Sequence, residues 1–178
     1  MRAFVALDLP EAMLDGLERL QDGLPGRAVV RPNLHLTLAF LGDVGEAALR
    51  DLWEALEGER LEVPVLRVEA LDVFGGRRPD LVFAAVAGNT ALEAAARAVR
   101  RAAREAGIAP GRERFRPHVT LVRFRGLGPK EEAALAARLG PVALPEGRAE
   151  ALSLYRSELR PEGARYEVLA SRGFAGLA

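Results

Sequence analysis

The sequence predicts an α+β fold in which two similar halves face each other across a cleft. Short apolar segments with the two-residue periodicity of strands alternate along the chain with segments of helical periodicity. The same tripeptide pattern, histidine, an apolar residue and threonine, occurs once in each half, at His35 and at His118. A length of 178 residues suits one domain, so we expect residues 1–178 to form a single domain with helices on the outside.

In the first half, periodicity predicts a strand at residues 2–9, a helix at 11–20, the first motif strand at 34–41 and a helix at 46–56. Pro10 ends the first strand. Successive side chains of the motif strand point to opposite faces. The leucines at 34, 36 and 38 are therefore expected in the core, which leaves His35, Thr37 and Ala39 on the other face.

In the second half, we expect strands at residues 61–74 and 81–86, a helix from 90 to about 107, the second motif strand at 118–123, a helix at 129–139 and closing strands at 149–157 and 165–174. Glycines and a proline predict a turn at 75–80. Thr90 and Glu93 form a capping-box pattern at the start of the helix. The loop at 141–147 is too short to divide independent domains.

The two motifs suggest chemistry on an anionic group. His and Thr of each motif share one face of their strand, so two motifs facing each other would supply a general acid, a general base and two hydroxyl donors. Such a set suits a phosphate ester. An isolated histidine on a strand is commonly structural, and threonine favours strands in any case. However, the chain has only two histidines and three threonines, and the repeated spacing argues for function.

Several segments carry a family resemblance. They are the two motifs and their surroundings at residues 33–42 and 115–123, the opening residues 2–10, and the tail segments 153–155 and 163–166. Together they resemble the bacterial and archaeal branch of the two-histidine phosphoesterases, the 2'-5' RNA ligase or RNA 2',3'-cyclic phosphodiesterase family. The resemblance spans residues 2 to about 166. It implies a bilobal, pseudo-twofold fold with two antiparallel sheets around the cleft and strands exchanged between the lobes.

The resemblance also implies an activity. The expected reaction is hydrolysis of RNA 2',3'-cyclic phosphate ends to 2'-phosphomonoesters, with reversible, ATP-independent 2'-5' RNA ligation; tRNA halves are among the candidate substrates. By resemblance, His35 is the acid that protonates the departing 3' oxygen and His118 is the base for water, while Thr37 and Thr120 bind the phosphate. The alternative is a non-catalytic RNA-end or nucleotide-binding module on the same fold.

Arg123 resembles the phosphate-binding arginine of the family. It follows His118 by five residues, an odd offset that turns a side chain away from the histidine in a regular strand. If Arg123 serves the site, it must lie at a strand end or after a bulge, or reach round with its long side chain.

Charge is uneven although the formal net charge is zero. Nine arginines and only two glutamates lie between residues 97 and 125, around the second motif. Such a basic stretch attracts polyphosphates. Four of these arginines, at 97, 100, 101 and 104, are interpreted as the solvated face of a helix. Those closer to the motif, at 112, 114, 116 and 123, are the better candidates for contacts with RNA.

Other features limit the class of protein. No cluster of ligands accompanies either motif, so we expect no metal, and no cofactor motif is recognised. The chain has no cysteine, no apolar run long enough for a membrane span and no apolar leader. We therefore expect a cytoplasmic monomer that needs no protein partner. The aromatic residues expected nearest the cleft are Phe4, Phe74, Phe83 and Tyr155.

Overall fold

The computed structural model describes residues 1–76, 78–111 and 113–174, and it has the predicted α+β fold. Its helices are α1 (Glu11–Gln21), α2 (Glu46–Glu57), α3 (Thr90–Glu105) and α4 (Pro129–Ala136). The strands are β1 (Arg2–Asp8), β2 (Arg27–Ala28), β3 (Leu36–Asp43), β4 (Val65–Leu66), β5 (Val68–Phe74), β6 (Leu81–Val86), β7 (His118–Arg123), β8 (Gly140–Pro141), β9 (Gly147–Arg148), β10 (Ala151–Arg160) and β11 (Gly163–Gly173). A 3₁₀ turn, Arg31–Asn33, comes just before the first motif.

Two main sheets each contain one motif strand. The first has the order β11-β10-β1-β3 and the second has the order β2-β7-β6-β5-β8, while β4 and β9 form a separate pair. All the strand pairs are antiparallel. Strand β2 leaves the first half of the chain to pair with β7, and the β10–β11 hairpin returns from the second half to pair with β1. The expected exchange of strands between the lobes is confirmed.

The helices cover the sheets through apolar faces. Met13 and Leu17 of α1 are buried, as are Leu52 and Leu56 of α2. An alanine-rich stripe on α3 is buried in the same way and joins them in one large core cluster. Burial of each large side chain contributes roughly 1.5–3 kcal/mol, so this core fixes the backs of both motif strands. A smaller cluster of Phe4, Ala6 and Tyr155 lies on the opposite face of the first sheet.

A bulge changes the direction of side chains in β3. Thr37 and Ala39 pair with consecutive residues of β1, so Leu38 between them has no partner. Leu38 and Ala39 consequently both face the core, at 2% and 5% exposure. The prediction that Ala39 shares the face of His35 is therefore wrong. Phe40 takes that face instead and is 64% exposed.

The second motif strand contains a matching bulge. Thr120 and Val122 pair with consecutive residues of β6, which leaves Leu121 without a partner. Leu121 and Val122 both point into the core, and Arg123, the last residue of β7, is exposed. The bulge thus turns Arg123 back to the face of His118 and Thr120, which removes the difficulty of its odd offset.

Several boundaries differ from the sequence-based expectations: β3 is shifted by two residues from the predicted 34–41, and the closing strands predicted at 149–157 and 165–174 are Ala151–Arg160 and Gly163–Gly173. The single strand predicted at residues 61–74 is instead the pair β4 and β5, because β4 pairs with β9 outside the sheet that β5 joins. The loop predicted at 141–147 contributes its ends to β8 and β9. The helix predicted at 129–139 stops at Ala136.

The start of α3 also differs. Asn89, not the Thr90–Glu93 pattern, caps the helix, because its side-chain oxygen accepts a hydrogen bond from the backbone N–H of Leu92 at 2.9 Å. The turn predicted at 75–80 opens with Gly75 and Gly76, both at positive φ, while Arg77 lies outside the described residues. No helix in the described ranges is long and apolar enough to cross a membrane.

Candidate active site

His118 begins β7 and has its ring held by the backbone. Its Nδ1 lies 2.7 Å from the carbonyl oxygen of Arg116. Since a carbonyl only accepts, Nδ1 carries the proton, and Nε2 is the nitrogen free to exchange a proton with a substrate. Burial lowers the pKa of His118, the Arg116 carbonyl opposes this by raising it, and the charges of Arg116 and Arg123 lower it further.

Aromatic rings and one arginine surround His118. The rings of Phe74 and Phe83 meet the imidazole edge-on, with centroids 5.0 and 5.3 Å away. The guanidinium of Arg116 lies over both phenyl rings, at 5.1 and 4.9 Å from their centroids. It also pairs with Asp72 at 2.9 Å. Arg116 is therefore already engaged as part of the wall around His118.

His35 lies just before β3 and is held differently. Its Nδ1 is buried and makes no hydrogen bond among the described residues. The carbonyl of Asn33 has the same relative position as that of Arg116 and acts to raise the pKa, but its geometry falls short of a hydrogen bond. Burial dominates and lowers the pKa of His35 to about 4, and the charges of His118 and Arg123 add to the effect.

Three aromatic rings position the imidazole of His35. Phe4 stacks on it with centroids 4.8 Å apart, and Tyr155 lies at 5.7 Å in a similar orientation. Tyr166 meets it edge-on at 5.2 Å. Packing on all these sides fixes a ring whose Nδ1 lacks a partner.

A polar network lies behind the aromatic rings. The hydroxyl of Tyr155 donates to the carboxylate of Asp8. Asp8 also accepts from the fully buried Ser153, at 2.6 Å. Burial and the Asp8 carboxylate raise the pKa of Tyr155, so its hydroxyl stays protonated as the donor.

The turn that carries His35 is anchored from two sides. Asn33 donates through Nδ2 to the carbonyl of Ala164 at 2.8 Å, which ties the turn to the β10–β11 hairpin. Arg31 binds three carboxylates of α1, those of Glu11, Asp15 and Glu18. Arg31 and Arg116, which precede the two motifs, thus have different partners.

The two motifs border one cleft. A cavity of about 290 Å³ is lined by residues of β3, β5, α3, the loop before β7 and the start of β7, including Thr37 and His118. His35, Thr120 and Arg123 do not line this cavity. The charge of Arg123 nevertheless lowers the pKa of both histidines, and that of His118 lowers the pKa of His35. Both imidazoles therefore share one electrostatic environment with this guanidinium.

Phe40 is a cleft residue that sequence reasoning missed. It lines the cavity and packs near Phe4, with ring centroids 6.0 Å apart. A signal was present in the sequence, because Phe40 follows His35 by five residues, as Arg123 follows His118. Of the four aromatic residues expected near the cleft, Phe74 lines the cavity, whereas Phe4, Phe83 and Tyr155 are at most 8% exposed and pack against the histidines.

The arginines of the basic stretch have different environments. Arg114 and Arg116 line the cavity, and Arg112 lies outside the described residues. On α3, Arg97 pairs with Glu93 and Arg101 pairs with Glu59, as expected of a solvated helix face. The expectation is wrong for Arg100, which donates to backbone carbonyls of the following loop and lines the cavity.

The arrangement is suited to proton transfer at a phosphate ester. An imidazole can accept or donate a proton, and threonine hydroxyls and a guanidinium can donate hydrogen bonds to anionic oxygens. Within the ranges that the structure describes, no group of three or more His, Cys, Asp or Glu side chains could hold a metal ion.

Comparison with known proteins gives a consistent set of relatives. A model of the 2'-5' RNA ligase superfamily matches residues 9–160. The chain is 31% identical to an RNA 2',3'-cyclic phosphodiesterase of Methanothermobacter thermautotrophicus, over 93% of this chain and 95% of the relative. It is also 31% identical to one from Thermus thermophilus, over 99% of this chain and 91% of the relative.

Solved structures agree on the fold. A crystal structure of a Thermus thermophilus protein matches with a TM-score of 0.82 at 30% identity, over the full length of both chains. E. coli LigT complexed with 3'-AMP matches with a TM-score of 0.77 at 24% identity, over 98% of each chain. The second likeness concerns the fold alone.

Proposed function

Because this chain belongs to the 2'-5' RNA ligase superfamily, we propose that it hydrolyses RNA 2',3'-cyclic phosphate ends to 2'-phosphomonoesters. The observation that carries the proposal is the placement of both motifs at one cleft: Thr37 of the first motif and His118 of the second line the same cavity, and the charge of His118 lowers the pKa of His35. The curated relatives named RNA 2',3'-cyclic phosphodiesterase support the substrate class.

The reaction needs one proton accepted and one proton donated. In the proposal, Nε2 of His118 takes a proton from water as the water oxygen bonds to phosphorus. The bond from phosphorus to the 3' oxygen breaks on the opposite side, and His35 gives that oxygen a proton. The product carries a 2'-phosphate and a 3'-hydroxyl, and the proton held by His118 returns to His35 through solvent. A general acid or base positioned in this way typically raises the reaction rate by about 10²- to 10⁴-fold.

The cyclic phosphate carries negative charge that favours a protonated histidine. His35 is largely neutral in the free protein at neutral pH because its pKa is about 4. A bound anion beside it raises that pKa, because the negative charge stabilises the imidazolium. The acid is therefore charged mainly when substrate is present.

Three further residues would bind the phosphate. Thr37 and Thr120 donate hydroxyl hydrogen bonds to the non-bridging oxygens. Arg123 supplies a fixed positive charge and a planar pair of donors. These donors stabilise the charge that builds on the oxygens in the transition state.

The same site would support ligation. If the 5'-hydroxyl of a second RNA replaces water, the same proton transfers form a 2'-5' linkage and release the 3'-hydroxyl. The energy is held in the cyclic phosphate, so no ATP is consumed. We include this reversible 2'-5' ligation in the proposal, with tRNA halves as one natural source of such ends.

Strand exchange between the lobes favours treating residues 1–178 as one domain.

The test is incubation of a nucleoside 2',3'-cyclic phosphate and a short cyclic-ended RNA with the protein in excess EDTA and without ATP. Formation of the 2'-phosphate, identified by phosphorus NMR, supports the proposal. Binding without turnover would instead indicate the alternative, a module that recognises RNA ends. Turnover that EDTA abolishes and a divalent ion restores would overturn the metal-independent mechanism.

A further inference from the structure

A second cavity continues the cleft beyond the reacting centre. It has a volume of about 420 Å³ and is lined by Arg100, Arg104, Ala109, Pro110 and Gly111. Arg100, Pro110 and Gly111 also line the cleft cavity, so the two spaces adjoin. The surface that leads from His118 to α3 is called the α3 groove, defined by Arg100, Arg104, Pro110, Gly111 and Arg114.

The α3 groove presents positive charge that is not neutralised by ion pairs. Arg104 and Arg114 are exposed, and neither makes an ion pair among the residues that the structure describes. Arg97 and Arg101 on the same helix differ, because each has a glutamate partner. Among the described residues, Glu113 is the single acidic side chain that lines either cavity. The groove therefore attracts anions.

The wall of the groove is held in place. Arg100 donates to the carbonyl oxygens of Gly111 and Glu113, at 3.1 and 2.9 Å. These bonds tie the loop between α3 and β7 to the helix. Arg104 and Arg114 consequently face solvent from a fixed backbone, which lowers the entropic cost of binding a ligand between them.

We propose that the α3 groove binds the phosphodiester backbone of the RNA on the 5' side of its cyclic end. The inference rests on the proposed function, which puts the terminal phosphate between the histidines. The upstream phosphates are then the remaining anions of the substrate, and the groove is a cationic surface that adjoins the cleft through Arg100, Pro110 and Gly111. The preferred substrate is accordingly an oligonucleotide with at least one internal phosphodiester, and not a mononucleotide.

The experiment compares three substrates that share the same reacting end: uridine 2',3'-cyclic phosphate and the di- and trinucleotides UpU and UpUpU with the same cyclic end. In the wild-type protein, kcat/KM should rise with length. Arg104→Gln and Arg114→Gln should each remove about threefold to fivefold of that gain, the scale of an exposed ion pair. Each lost phosphate contact should also reduce the slope of log kcat/KM against log salt by about 0.7 for the longer substrates.

Arg97→Gln is the matched control, since it removes the same charge from the same helix but lines neither cavity. It should keep the full gain with length. Equal kcat/KM for all three substrates in the wild type, or a gain that survives the double variant of Arg104 and Arg114, would overturn the inference. Hydrolysis of the mononucleotide reports the proposed function separately, so failure of one is distinguishable from failure of the other.

Discussion

The two halves of the site share a backbone device but hold their histidines in different ways. In each half, histidine and threonine are followed by a bulge, and the residue five positions after the histidine returns to the same face. His118 is fixed through a hydrogen bond from Nδ1 to a backbone carbonyl. His35 lacks that bond and is fixed by packing among Phe4, Tyr155 and Tyr166.

The difference shows how a repeated strand can carry two tasks. The bulge turns Phe40 to the face of His35 in one half and Arg123 to the face of His118 in the other. An exposed aromatic ring can stack on a base, whereas a guanidinium binds phosphate. Under the proposed function, the matching bulges would present different side chains to an asymmetric substrate, which has a base on one side of its ribose and a phosphate on the other.

The comparison is tested most severely by removing each histidine. His35→Ala and His118→Ala should each lower kcat for cyclic phosphate hydrolysis by at least about 10²-fold, because each removes one proton transfer group. Circular dichroism and thermal unfolding would check that both variants remain folded. If either variant retained near-full activity, the two halves would not act as an acid and base pair.

Substitution of the two residues that follow the bulges, Arg123 and Phe40, should distinguish binding by charge from binding by base stacking. Arg123→Gln should weaken binding of a cyclic-ended RNA about tenfold to a hundredfold, in line with hydrogen bonds to charged groups of about 1.5–3 kcal/mol. It should also flatten the dependence of affinity on salt.

Phe40→Ala is the counterpart in the other half. It should cost about 1–3 kcal/mol of binding if a base stacks there, and it should leave the salt dependence unchanged. Fluorescence titrations of matched RNAs over a salt series would measure both variants. A flat salt response in the wild type, or a salt effect that depends on Phe40, would reverse the assignment of the two halves.

Sequence alone predicted most of the fold because its signals were local. Apolar periodicity located the four helices and both motif strands, and the repeated motif indicated the duplication. The errors occurred where pairing between distant segments decides the structure. Residues 61–74 read as one apolar strand, but β4 pairs with β9 far along the chain, and no local pattern encodes that partner.

The site residues show the same division. His35, Thr37, His118 and Thr120 could be proposed from spacing, since two-residue alternation puts each pair on one face. Phe40 was missed because alternation assigned that face to Ala39, and only the shared offset of five residues from each histidine pointed to the bulge at Leu38 that shifts it. The sequence left Arg123 dependent on such an irregularity, and the bulge at Leu121 supplies it.

Titration of the two histidines should sharpen the comparison between their surroundings. They are the only histidines of the chain, so NMR shows two imidazoles, and His118→Ala assigns them. His35 should titrate near pH 4, and His118 should titrate below the ordinary 6.5 because burial lowers its pKa. Inorganic phosphate should raise both pKa values, because an anion stabilises the imidazolium.

The lowered pKa of His35 also makes the stability of the folded chain depend on pH. Since the pKa of His35 is lower in the folded chain than its ordinary value of 6.5, protons bind the unfolded chain preferentially. The contribution of His35 to the free energy of unfolding is therefore fully present above about pH 6.5 and is lost as the pH falls towards 4. A midpoint of His35 at its ordinary value, with no response to phosphate, would show that burial does not control this ring.

The smallest effect is expected from the network behind His35. Tyr155→Phe keeps the ring that packs on the imidazole but removes the hydroxyl that donates to Asp8. Without that anchor the ring can shift and carry His35 with it, so kcat should fall by about threefold to tenfold while KM stays constant. This loss is well short of the hundredfold that a displacement of about 1 Å can cost.

Tyr166→Phe is the matched control. Its ring also contacts His35, but its hydroxyl makes no hydrogen bond within the described part of the chain, so kcat should not change. The titration of His35 should move in the Tyr155 variant and that of His118 should not, a selectivity that a general loss of stability would not produce. Equal effects of the two tyrosine substitutions, or equal shifts of the two histidines, would show that the Asp8 network does not position His35.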